Sequence, residues 1–134
     1  MSNSFKYTYG LGHVPSFQTS CRPWLSSSIE VPASGSTPLE ITFDSVSRFI
    51  IITNTTPIDE PSRTLRFGMS EAGVEGTNYG TLQNGQSFEA EFKVTRVYLM
   101  SDSAAASSAS VIAGLTGIGA EHLPGNWSGS SGVG

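Results

Sequence analysis

Two histidines, one cysteine and eleven Asp or Glu side chains are the groups on which nucleophilic, acid–base or metal chemistry would most readily rest. His13 and His122 each stand in a glycine-containing segment with no Cys, Asp or second His at ligand spacing, so neither starts a metal site. Cys21, in "TSCRPW", matches no nucleophile motif and reads as a small hydrophobe rather than a Cys–His pair. "FGMSEAG" (residues 67–73) brings a serine between two glycines, but the second glycine comes one residue late for a nucleophile elbow, and "VEGTNYG" is not expected to form the helix that such an elbow needs. Glu89 and Glu91 alternate with apolar residues on one strand, which is the pattern of a solvated sheet face rather than of a glycosidase pair. The expectation is a protein without enzymatic activity, metal or cofactor.

The aromatic residues offer a different chemistry. Trp24, Trp127, Tyr7, Tyr9, Tyr79 and Tyr98 are candidate stacking platforms for a carbohydrate, and the first strand signal places Tyr7 and Tyr9 on one face. Trp and Tyr are equally favoured as anchors at protein interfaces. Phe5, Tyr7, Tyr9, Phe17, Trp24 and Trp127, all outside the clearest strands, are the anchors expected here.

The elements that must position them are strands. "LEITF" sets Leu39, Ile41 and Phe43 against Glu40, Thr42 and Asp44, and "QSFEAEFKV" sets Phe88, Ala90, Phe92 and Val94 against Ser87, Glu89, Glu91 and Lys93. After Val94 the apolar phase slips by one residue to Val97 and Leu99, which predicts a bulge or bend at Thr95–Arg96. "RFIIITNTT" is apolar from Phe49 to Ile52 and reads as a central strand covered on both sides. Strand signals fall at 5–9, 29–32, 39–44, 48–54, 64–69, 79–82, 87–100 and 109–116, whereas no segment longer than ten residues has helical apolar spacing. This is the pattern of an all-β chain, a single antiparallel sandwich of about eight strands. The expected core is Phe43, Ile50, Ile52, Leu65, Phe67, Phe88, Phe92 and Leu99. The small polar run "SDSAAASSAS" (101–110) reads as a loop or one helical turn, and the glycines of 68–80 as sharp turns with φ > 0.

At 134 residues the chain can build one core. It divides into an N-terminal arm with one strand (1–28), a sandwich (29–118) and a Gly/Ser-rich C-terminal arm (119–134). Charged residues make up 13%, about half of the ~25% usual in soluble domains, and hydroxyls cost less to desolvate against a neighbour than unpaired charges do. Net charge is −4 and the seven Lys and Arg are scattered, so nucleic acid is not an expected partner. There is no apolar run long enough to span a membrane and no leader pattern in "MSNSFKYTYGLGH", and a single cysteine fits a reducing compartment. The sequons at Asn54 and Asn126 are read as chance matches in a Ser/Thr-rich chain.

The stretches "VSRFIIITNTT", "TLRFGMSEAGVEGTNYGTLQNGQSFEAEFKVTRVYLMSD" and "SVIAGLTGI", with the opening "FKYTYGLGHVPSFQTSCRPWLSSSI" and the closing "NWSGSSGVG", resemble the small jelly-roll penton and minor capsid proteins of icosahedral DNA viruses. Phage head decoration proteins look similar. The resemblance implies a jelly-roll subunit of a virion shell, assembled inside the host cell without secretion. Its partners would be copies of itself and other capsid proteins, which its extended arms grip. The alternative is a receptor- or carbohydrate-binding sandwich of a fibre or adhesin, with a carbohydrate receptor as partner.

Overall fold

The computed structural model describes residues 22–122. They form eight strands: β1 (Arg22–Val31), β2 (Leu39–Thr42), β3 (Ser45–Asn54), β4 (Leu65–Gly68), β5 (Gly80–Leu82), β6 (Ser87–Ala90), β7 (Arg96–Ser101) and β8 (Ser107–Gly119). A short helix, α1 (Glu71–Glu75), joins β4 to β5, and a 3-10 turn (Ala120–His122) follows β8. The strands make two four-stranded antiparallel sheets, ordered β1-β8-β3-β6 and β2-β7-β4-β5. The chain is an all-β sandwich.

Within these sheets β1 pairs with β8, β2 with β7, β3 with β6 and β4 with β5. Partners thus nest around the segment that carries α1, as in one long hairpin. Rolling that hairpin brings β8 against β3 and β7 against β4. "MSEAGVEGTNY" is the tip of the hairpin. Its first half forms a single helical turn that ends at Glu75, because Ser70 caps it, its Oγ accepting from the Gly73 N–H at 3.0 Å, and residues 76–80 of "VEGTNYG" stay non-helical as expected. The glycines of this stretch do not take the expected positive φ; among the glycines of the described residues only Gly35 and Gly85 do. Gly68 and Gly80 are needed for space, since a Cβ at Gly68 would overlap the Val74 side chain and one at Gly80 would enter the Phe67 ring.

Each strand sends alternate side chains between the sheets. Ile50 and Ile52 from β3, Leu65 from β4, Val97 and Leu99 from β7 and Val111 and Ala113 from β8 are fully buried there, together with Phe43 at 1% exposure. Phe67 and Phe88 stack at 4.6 Å, Phe88 being only partly buried. Phe92 does not belong to the core and is 40% exposed. The reason is that "QSFEAEFKV" is not one strand with the segment that follows it: the chain leaves the first sheet after Ala90, crosses to the second and re-enters it at Arg96. The slip in apolar phase marks this change of sheet, and the chain bends at Thr95, the place where a bulge or bend is expected. β3 is central, but among the described residues only its inward side is sealed, for Phe49 and Ile51 point outward and remain partly exposed. β1 starts at Arg22, inside the segment expected to be an arm. The 101–110 run is a turn at 102–106 whose remaining residues end β7 and begin β8.

The two ends of the described chain meet at one pole. The Arg22 guanidinium donates to the Asp44 carboxylate at 3.2 Å, and the Ala120 N–H donates to the Asp44 carbonyl at 3.1 Å. At the opposite, loop pole lie the turns 32–38, 55–64, 83–86 and 102–106. Asn54, fully buried, ties that pole together: its Nδ2 donates to the carbonyls of Arg63 (2.9 Å) and Leu82 (3.0 Å) and its Oδ1 accepts from the Thr56 N–H (3.1 Å). With its amide enclosed in this way, the Asn54-Thr55-Thr56 sequon is closed to a glycan in the folded chain.

Two stability outcomes follow. Phe43→Ala is expected to cost about 3–5 kcal/mol, whereas Phe92→Ala, losing mainly its 5.8 Å ring contact with Phe88, should cost only about 1 kcal/mol in urea denaturation. Asn54→Ala removes three hydrogen bonds made by a fully buried side chain and should cost at least about 2 kcal/mol, more than Asn84→Ala, whose amide bonds the exposed carbonyls of Pro57, Glu60 and Pro61.

Candidate interaction surface

The sandwich has two outer faces, and they differ. On the second sheet, Arg66 of β4 and Tyr98 and Met100 of β7 point outward, and α1 lies over them. Val74 of α1 is fully buried with Tyr98 and Met100, with Tyr79 packed alongside. Arg66 holds the edge of this cover: its guanidinium sits 4.4 Å from the centre of the Tyr79 ring, pairs with Asp102 (Nε to Oδ1 2.7 Å) and donates to the Val74 carbonyl.

The first sheet has no such cover among the described residues. Leu25 of β1, Ile112 of β8 and Ile51 of β3 stand side by side in register, forming an apolar row across three strands. Leu25 is 67% exposed and Ile112 37%. Next to this row the register aligns exposed Pro23 with Gly114 and Phe49, and Glu89 closes the row on β6. A contiguous apolar patch of this kind is what a protein interface uses, because its burial releases water without stranding charge.

Of the expected anchors, Phe5, Tyr7, Tyr9, Phe17 and Trp127 lie outside the described residues, as do His13 and Cys21. Trp24 lies on β1 but on its inner side. It packs edge-on against Phe43 of its own core, ring centres 5.1 Å apart at 71°, and so serves the domain rather than a free surface. Tyr98 is buried under α1 and Tyr79 carries Arg66 on its ring, so neither is a free platform for a sugar. Ser70, the serine of "FGMSEAG", is in extended conformation (φ −144°, ψ 152°) and spends its hydroxyl on the helix cap. Glu89 and Glu91 are both exposed. Leu25 and Ile112 were not singled out by sequence. The signal was present for Ile112, which stands beside Val111 in "SVIAGL" and must therefore face the opposite way.

Among the described residues no three His, Cys, Asp or Glu side chains come together as a metal site, and no helix is long and apolar enough to cross a membrane. No protein-family model matches the chain, and no curated protein matches it at a significant level.

Proposed function

We propose that the protein is a structural subunit of a viral capsid, a penton, minor capsid or decoration protein acting through protein–protein contacts. The observation that carries this reading is the strand order. We read β1-β8-β3-β6 facing β2-β7-β4-β5 as a jelly roll, the double Greek-key sandwich recurrent among viral capsid domains, and the warrant is one of architectural analogy. The outer face of the first sheet, uncovered among the described residues, supports it, since a shell subunit needs a surface that associates while its own core stays closed. So does the meeting of both ends of the described chain at Asp44, which Arg22 and Ala120 each contact. The partners on this reading are copies of the chain and other shell proteins, and the place of action is the virion.

Mass photometry of the full chain tests it. The wild type is expected to form oligomers or particles, and Leu25→Glu and Ile112→Glu, each putting a carboxylate into the associating face, should weaken association by at least about tenfold while leaving the melting temperature nearly unchanged. A wild-type chain that stays monomeric at every concentration, alone and with the other proteins of its particle, would end this reading.

A further inference from the structure

At the loop pole, away from the chain ends, a cleft of about 420 Å³ opens between β1, the turn after β3 and the start of β8. It falls within the ~300–1,000 Å³ range of small-ligand sites. Ser28, Glu30, Pro57, Glu60, Arg63 and Ser108 line it. All its charged groups come from fixed backbone. Glu30 is in register with Ser108 on β8. Glu60 closes a β-turn, its N–H donating to the Pro57 carbonyl at 3.1 Å, and the Asn84 side-chain amide holds the carbonyls of Pro57 (3.1 Å) and Pro61 (3.2 Å) on either side. The Arg63 N–H donates to Asn84 Oδ1 (3.0 Å), its carbonyl accepts from Asn54 and from the Ser107 hydroxyl, and its guanidinium is steadied by the Ala106 carbonyl at 3.2 Å. Ser28, on the rim, sits where the β1–β8 register shifts and has φ 57°, the only positive φ of a non-glycine among the described residues.

Three arginines of the domain are paired with carboxylates: Arg22 with Asp44, Arg66 with Asp102 and Arg96 with Glu40. Glu30, Glu60 and Arg63 form no ion pair with any described residue, although they share one cleft. Two acceptor-only groups and one donor-only group are thus held apart, facing the same volume. A cationic ligand would meet Arg63, and an anionic one would meet two carboxylates. A neutral polyol satisfies all three, because each hydroxyl both donates and accepts, and the Pro57 ring and Ala106 give a sugar's C–H face something apolar to lie on.

We propose that this cleft is a binding site for a neutral saccharide, with Glu30 and Glu60 accepting from its hydroxyls and Arg63 donating to them. The site is distinct from the aromatic platforms and does not depend on the capsid reading. With no aromatic ring among the described residues that line it, a single cleft binds weakly, in about the millimolar range, and gains avidity only where many copies are displayed together.

The test is a titration of the 15N-labelled full chain with methyl glycosides of glucose, galactose and mannose, up to concentrations on the order of 10 mM. At least one glycoside is expected to shift the amides of Ser28, Glu30, Glu60, Arg63 and Ser108 saturably, and Glu30→Ala and Glu60→Ala should each weaken that response about tenfold. Both carboxylates are exposed and unpaired, so the variants should keep the wild-type melting temperature. N-acetylneuraminic acid, acetyl-lysine amide and glycine serve as anionic, cationic and zwitterionic probes and should leave those amides unmoved. A neutral oligosaccharide immobilised on a surface separates a glycan chain from a free sugar as the source: retention that depends on Glu60 without response to the free glycosides assigns the former, and the reverse the latter. The proposal is overturned if neither form binds, if binding survives both substitutions, or if a charged or zwitterionic probe binds the cleft more tightly than every neutral sugar.

Discussion

A chain that repeatedly leaves one sheet for the other must satisfy its main-chain polar groups at every departure, where no neighbouring strand is at hand. In this sandwich β3 supplies the answer at both of its ends. Near its start, buried Ser47 donates its hydroxyl to the Phe92 carbonyl and accepts from the Val94 N–H, while its own N–H donates to the Val94 carbonyl. That is what lets residues 91–95 cross between sheets. At its far end Asn54 does the same for two loops and its own turn. Thr116, next door on β8, ties its hydroxyl to the Val46 carbonyl at 2.7 Å. The apolar contacts provide most of the driving force for collapse, but an unpaired buried amide costs about 1–3 kcal/mol, so these few side chains decide which path the connections take.

The hairpin tip obeys a second constraint, of space. Between Gly68 and Gly80 the chain must turn, form a helical turn and lay that turn back on the outside of the second sheet. Side chains at either glycine would collide with Val74 or Phe67. The result is that one outer face of the sandwich is sealed by its own hairpin tip and the other is sealed by no described residue. Packing Val74 over Tyr98 and Met100 closes the outer face of the second sheet, while the Leu25–Ile112–Ile51 row stays uncovered by any described residue.

The strand content and the inward residues of β2, β3, β4 and β7 were legible because period-two alternation follows from the backbone itself. Phe92 shows where that legibility ends. Alternation tells which side of a strand a residue takes, but not whether the strand has already stopped, and "EFKV" keeps the rhythm while the chain is crossing. The pairing of distant strands had no local sign either, since β1 and β8 stand at opposite ends of the described chain. The α1 turn was missed because five residues are too few for a helical period, although Ser70 before Glu71 is a capping signal that could have been used. Glu30, Glu60 and Arg63 belong to no motif. They converge only because β1, the 55–64 turn and β8 end at the same pole, which is a fact of topology.

Because Arg22 and Ala120 both rest on Asp44, the chain enters and leaves the sandwich through one point. This fixes how the domain responds to tension. If the two ends are pulled apart, the load falls first on the Arg22–Leu115 end of the β1–β8 ladder and opens it pair by pair, as a zip opens, so that only one or two hydrogen bonds resist at any moment. If both ends are held from the same side, the pull is shared and β1 stays seated. A molecule wired in this way is weak against separation of its ends and strong when both are fastened together. Its resistance to force is therefore set less by its core than by what it is attached to.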